Sequence, residues 1–262
     1  MIILLIGTYG EVIGYGARID GVYNGGSFGP FLVMNLFIIL APVAFAAANY
    51  VIFGRLLRIV LAYASMEKHR RKLSFLPVNK ITAIFVTSDV ISFLIQGGGA
   101  GLLLSRQSNG APNLQNQKTG EQILTAGLCI NLISFCFFFA VIIYFSVGFR
   151  KLLKQQQLSL DFLPAHNKRR TITPIIVAMF VSMLLIIVRS AYRIIEFHDG
   201  WNSRINSTES YFYIFDASLM VIATGIYVFI FPYKYGVYGK KKTEKLIRAL
   251  HVEMIGIDRP SE

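Results

Sequence analysis

Seven ionisable residues stand inside or at the edges of long apolar runs: Glu11, Arg18, Asp89, Arg189, Arg193, Glu196 and Asp216. Charged side chains are costly in hydrocarbon, so they normally face one another, a cavity or a path through a helix bundle. Arg189, Arg193 and Glu196 follow i, i+4, i+7 and would share one helix face. The loop charges described below place Glu11, Arg18, Arg189, Arg193, Glu196 and Asp216 in the outer half of the membrane. Three acids there meet three bases, which predicts a balanced ionic network joining the first, fifth and sixth spans. Two readings of it stay open: structural glue that fixes helix register, or the mouth of a transport path.

Asp89 stands apart, about 12 Å into its span from the cytoplasmic side at 1.5 Å per residue. Ser92 and Gln96 follow it at i+3 and i+7 and extend a polar stripe on the same face. An acid at that depth without an evident basic partner could relay a proton or bind a cationic head group. Equally, it could hydrogen-bond a neighbouring helix. The run Gly97, Gly98, Gly99 and Gly101 lacks the preceding strand and following Lys-Ser/Thr of a phosphate loop. Close helix packing explains it better. Pro42, inside an apolar run, removes one helix hydrogen bond and predicts a kink.

Enzyme chemistry is poorly supported. His69, His166, His198 and His251 all fall outside the apolar cores, and no G-x-S-x-G or H-E-x-x-H pattern occurs. Cys129 and Cys136 lie seven apart in one apolar run, about 10 Å along a helix, too far for a disulfide. The expectation is a non-enzyme without a cofactor or metal.

The elements that must position these residues are membrane helices. Hydrophobic residues make up 54% and charged residues 15% of the 262, whereas a soluble domain carries roughly a quarter charged. Apolar blocks long enough to cross a bilayer, about 20 residues each, fall at 1–17, 31–57, 81–104, 122–148, 172–194 and 211–231. The expected architecture is therefore an all-α transmembrane bundle over 1–239, with a basic tail at 240–262. Between spans two and three lie Arg55, Arg58, Lys68, Arg70, Arg71, Lys72 and Lys80. Between spans four and five lie Arg150, Lys151, Lys154, Lys168, Arg169 and Arg170. The tail side adds Lys234, Lys240, Lys241, Lys242, Lys245, Arg248 and Arg259. These regions alternate correctly to share one side, the cytoplasmic one. That placement explains the net charge of +12 without nucleic acid and allows contact with anionic lipid. On the opposite side, Asn206-Ser207-Thr208 is a glycosylation sequon. The tail's Leu246, Ile247, Leu250, Met254 and Ile255 among basic residues fit either an amphipathic surface helix or a solvated tail.

The polar positions resemble the fungal RTA-like family, also called lipid-translocating exporters, which are seven-helix membrane proteins. Glu11-Val12-Ile13-Gly14-Tyr15 with Arg18 is similar to that family's E-x-x-G-Y-x-x-R. Ala41-Pro42, Ala47, Tyr50 and Gly54-Arg55 follow in the second span. In the third, Ser88-Asp89-Val90 with Ser92, Gln96, Gly99 and Gly101 is the closest match. Arg189, Arg193-Ile194-Ile195-Glu196, Gly200, Glu209, Tyr213, Phe215-Asp216 and Met220 complete the pattern, while Phe231-Pro232 stands where the family has His-Pro. The family carries one more helix before the E-x-x-G-Y span; restoring it would give an external N-terminus and a cytoplasmic C-terminus. The resemblance implies movement of, or tolerance to, amphipathic molecules such as sphingoid bases, sterol-like toxins or porphyrins, mostly at the plasma membrane. Asp89, Ser92 and Gln96 would then line a path, and the outer network would shape its mouth. The alternative is a seven-helix sensor that regulates a lipid or stress response.

Overall fold

The computed structural model describes residues 2–23, 28–63, 80–103, 114–154, 173–198 and 213–230. Six α-helices carry these residues, and no strand occurs among them: α1 (Ile2–Tyr23), α2 (Phe28–Tyr63), α3 (Ile81–Leu103), α4 (Leu114–Lys154), α5 (Thr173–His198) and α6 (Ser218–Phe229). A π turn, Tyr213–Ala217, leads into α6. Helices are what lipid demands, because a backbone with no water to bond must satisfy its own polar groups. Five of the six are long and apolar enough to span a membrane. The chain is an all-α, polytopic integral membrane protein.

The helices depart from simple bilayer-length spans in two ways. α2 and α4, at 36 and 41 residues, run well past the roughly 20 residues a bilayer needs. In α4 the extra turns hold Gln115, Asn116, Gln117 and Lys118, polar residues that carry a helix out of the apolar layer. The described part of the sixth span is not one α-helix: it opens with the π turn, and 12 residues of α-helix follow. Asn206, the tail 240–262 and the basic residues 68–72 and 168–170 lie outside the described residues.

Polarity is turned inside out relative to a soluble protein. Leu5, Tyr9 and Val12 of α1, Leu94 of α3, Ile133 of α4 and Val221 and Val228 of α6 are exposed, toward lipid. Glu11, Asn49, Asp89, Gln96, Asn131, Arg189, Arg193 and Asp216 are buried.

Contacts between helices fix their directions. Gly7 approaches Phe45, and Gly14 approaches Ile38, so α1 and α2 are antiparallel. On α3 and α4, Asp89 meets Ser134, Gln96 meets Gly127, and Gly99 meets Leu124, again antiparallel. Glycine is required at two of these crossings. A β-carbon at Gly99 would stand 2.6 Å from Leu124 N and 2.8 Å from Gly120 O; one at Gly127 would stand 2.6 Å from Gln96 Cγ. Thr82 donates to the Tyr50 carbonyl, pairing the start of α3 with the second half of α2. Ser182 and Arg193 of α5 meet residues at opposite ends of the sixth span, through Asn49 and Asp216. Strict up-down alternation results. The helix ends at Tyr63, Ile81, Lys154, Thr173 and Phe229 therefore gather at one end, together with Arg55, Arg58, Lys80, Arg150 and Lys151.

Aromatic rings fill the centre between α2, α3 and α4. Phe138 meets Tyr50, Phe85 and Phe53 edge-on, with centroids at 4.5, 5.0 and 5.5 Å, and Phe53 meets Phe145 at 5.4 Å. Lipid tails are as apolar as these rings, so burial alone contributes little here. Ring geometry contributes about 0.5–1.5 kcal/mol per pair. The result is a firm floor beneath the buried polar groups.

Candidate functional site

The larger ionic cluster begins with a proline. Pro42 lies inside α2, has no N–H, and so leaves the carbonyl of Ile38, four residues earlier, without its helical donor. Arg189 of α5 takes that acceptor: its Nη2 donates to Ile38 O at 2.8 Å. Gly14 permits this geometry, because a β-carbon there would stand 2.9 Å from Ile38 Cγ1 and 3.3 Å from Ile38 N. α1 thus lies directly on the segment of α2 whose carbonyl is freed.

Asp216 is the hub of the cluster. It is fully buried and sits in the π turn, a distortion often found at functional positions. Arg193 grips it with both arms, Nε to Oδ1 at 2.9 Å and Nη2 to Oδ2 at 2.9 Å, the fork geometry that makes arginine-carboxylate pairs strong. Tyr15 of α1 donates to Oδ2 at 2.9 Å. Arg189 Nε stands 2.8 Å from Oδ1, but its N–H is turned off the oxygen, so this contact is Coulombic only. The Nη1 of Arg193 donates to Glu196 at 3.0 Å. The expected joining of spans one, five and six is therefore present, through Tyr15, Arg193 and Asp216. Glu11 lies within electrostatic range of Arg189 and Asp216, yet its Oε1 is buried without a hydrogen-bond donor. Arg18 is half-buried on α1, within electrostatic range of Tyr192 on α5.

About ten residues deeper lies a second polar layer. Asn49 of α2 donates to Ser182 of α5 at 3.2 Å and to its own helix at Phe45 O, while Tyr227 of α6 donates to Asn49 Oδ1. Asp216 of the π turn and Met220, Ala223 and Tyr227 of α6 are all buried, so one stripe serves both layers. Next to Asn49, Tyr50 turns toward α3 and donates to Asp89 Oδ2 at 2.8 Å; Ser134 of α4 donates to Asp89 Oδ1 at 3.2 Å. Asp89 is 0% exposed, and among the described residues no ion pair reaches it. Two neutral hydroxyls hold a carboxyl group with no countercharge.

The expected stripe after Asp89 is also inside the bundle. Ser92 donates to Ser88 O of its own helix at 3.0 Å. Gln96, 1% exposed, has neither amide atom bonded. Opposite, on α4, the Oδ1 of Asn131 is likewise buried and unbonded. Tyr50, Ser134, Asn49, Ser182, Tyr227 and Asn131 are participants that the pattern of charges did not single out. Cys129 and Cys136 are free thiols on α4.

A bundle of membrane helices with charge and amide clusters sealed inside it defines a polytopic membrane protein whose interior is built for polar contact. The chain belongs to the family described as RTA1 like protein, whose pattern matches residues 4–238. It is 31% identical over 213 residues to protoporphyrin uptake protein 1 of Saccharomyces cerevisiae, covering 81% of this chain and 62% of that protein. It is 28% identical to protein RTM1 of the same yeast, covering 86% and 65%. With the sphingoid long-chain base transporter RSB1 of S. cerevisiae it shares 29% identity over 82% of this chain and 59% of that protein. The chain thus spans about three fifths of the length of the relatives it matches. No solved structure matches it.

Proposed function

We propose that the protein moves amphipathic molecules across the membrane it spans, or confers tolerance to them, and that Asp89 meets a cationic head group inside the bundle. The observation that carries this is Asp89 itself: a fully buried carboxyl held by Tyr50 and Ser134, with no ion pair among the described residues. An ionised carboxylate in low dielectric costs several kcal/mol unless a charge compensates it; an ammonium on an otherwise apolar molecule supplies that charge. Relatives named as a sphingoid long-chain base transporter and a protoporphyrin uptake protein support amphipathic cargo. Ser92 and Gln96 continue the path on α3.

Asp216 and Glu196 already balance Arg189 and Arg193, so in this reading the four hold the outer ends of the helices together. Glu11, Glu196 and Arg18 border the outer mouth. The basic helix ends face the cytoplasm, where anionic lipid attracts them, and the membrane is the plasma membrane.

The test follows a labelled sphingoid base out of loaded cells carrying a deletion, the wild type or Asp89→Asn. Export lost in the deletion, restored by wild type and not by well-expressed Asp89→Asn, is the expected result. Export indifferent to the protein would refute this cargo and favour a sensor that carries nothing.

A further inference from the structure

Along the seam between α3 and α4 the antiparallel register stacks three polar levels. Asp89 faces Ser134 through a 3.2 Å hydrogen bond. Gln96 lies over Gly127, whose missing side chain leaves room for its stem: a β-carbon there would stand 2.6 Å from Gln96 Cγ and 3.2 Å from Ser92 O. Between these levels the register sets Asn131 beside Ser92. From Asp89 to Gln96 the seam runs about 10 Å, three or four hydrogen-bond lengths.

Only the first level is satisfied. Both amide atoms of Gln96 and the Oδ1 of Asn131 are buried and unbonded, at 1% and 4% residue exposure. Buried amide groups without partners cost free energy, and native interiors almost always supply one, from protein or from bound water. Lipid supplies none. The unmet atoms comprise one donor group and two acceptors, and the Ser92 hydroxyl, having given its proton to Ser88 O, accepts as well. A ligand for this set must both donate and accept, and it must be small and uncharged. A hydroxyl does this; an ammonium, which only donates, leaves the Gln96 amide nitrogen unmet.

We infer that the α3–α4 seam is a binding site for hydroxyl groups, with Gln96 and Asn131 as its ligands, continuing outward from Asp89. The hydroxyls come either from a file of water or from the head group of an amphipath. The inference shares its seam with the path proposed above, but its test needs no transported cargo, so a failure of export leaves it standing.

The full chain, with Cys129→Ser and Cys136→Ser, is made with Gln96→Cys, Asn131→Cys or Leu94→Cys and kept in its membrane. A small hydrophilic methanethiosulfonate reacts with the ionised thiol, which forms where water reaches. Gln96→Cys and Asn131→Cys should label at least tenfold faster than Leu94→Cys, whose parent side chain faces lipid. Sphinganine, but not hexadecylamine, slowing the labelling identifies the hydroxyl as the amphipath's; labelling unchanged by either identifies water. Labelling at both positions as slow as at Leu94→Cys overturns the site. In parallel, Gln96→Leu and Asn131→Leu should not raise the melting temperature in detergent. Raised melting temperatures would mean that dry, orphaned amides had been removed, and would overturn it independently.

Discussion

Removing Pro42 should change what Arg189 is worth. In the native helix the Ile38 carbonyl has no N–H from position 42, and Arg189 Nη2 fills the gap at 2.8 Å. Arg189→Met in this background loses a charge-assisted hydrogen bond, about 1.5–3 kcal/mol, and leaves a buried carbonyl unmet, about 1–3 kcal/mol more. In a Pro42→Ala background the backbone N–H restored at that position can bond Ile38 O, so the second loss disappears and part of the first was already surrendered. The ion pair with Asp216 is lost in both backgrounds and cancels. So does the gain of about 3 kcal/mol from replacing a helix-interior proline.

The difference between the two Arg189→Met penalties is therefore expected at about 1–3 kcal/mol. Reversible unfolding of the four proteins in mixed micelles, analysed as a double-mutant cycle, measures it. Penalties equal within about 0.5 kcal/mol, the limit for independent sites, would refute the idea that the proline creates the acceptor. They would leave Arg189 as a partner of Asp216 alone.

Asp216→Asn leaves Arg189 and Arg193 facing a neutral group in the bundle, so it should destabilise by about 3–5 kcal/mol in the same assay. Arg189→Met should cost less in the Asp216→Asn background than in the wild type, and equal penalties would contradict the hub assignment. Gly99→Ala drives a β-carbon to 2.6 Å from Leu124 N and should cost about 1–3 kcal/mol. Gly98→Ala, with nothing within 4 Å, should be neutral or stabilising by about 0.5–1 kcal/mol; equal effects of the two would show that α3 and α4 do not touch there. If the basic ends are cytoplasmic, Asn206 lies on the far side, and glycosidase treatment should shift the wild type on a gel but not Asn206→Gln. A reporter fused after residue 262 that is protected from external protease should agree with it.

The spans were readable because lipid imposes a length and an apolar composition on each helix. The third helix begins at Ile81, directly after Lys80, where its apolar run begins. These rules fail where a helix leaves the membrane, as at the polar start of α4, since a helix in water needs no apolar run. They fail again at Tyr213–Ala217, because a π turn differs from an α turn by one hydrogen-bond register and not by composition. The meeting of Arg189, Arg193, Glu196 and Asp216 was readable from charge, since such groups do not sit in hydrocarbon unpaired, whereas α1 joins them through the neutral Tyr15. Which carbonyl Arg189 would take was not, although Pro42 announced that one would be free.

The neutral groups carry the sharper lesson. Asn49, Gln96 and Asn131 lie in the middle of apolar runs, where an unmet amide costs about 1–3 kcal/mol by mutational measures. That cost differs from an ion's in size and not in kind, so each amide, like Asp89, needs a partner. For Asn49 the answer is Ser182 and Tyr227, and the amide ties three helices together. Gln96 and Asn131 face the same demand, and no group among the described residues meets it. Three helices could have been joined by apolar packing alone, as α2, α3 and α4 are at Phe138. In the proposed reading, the bundle keeps open amides beside Asp89 because something polar enters.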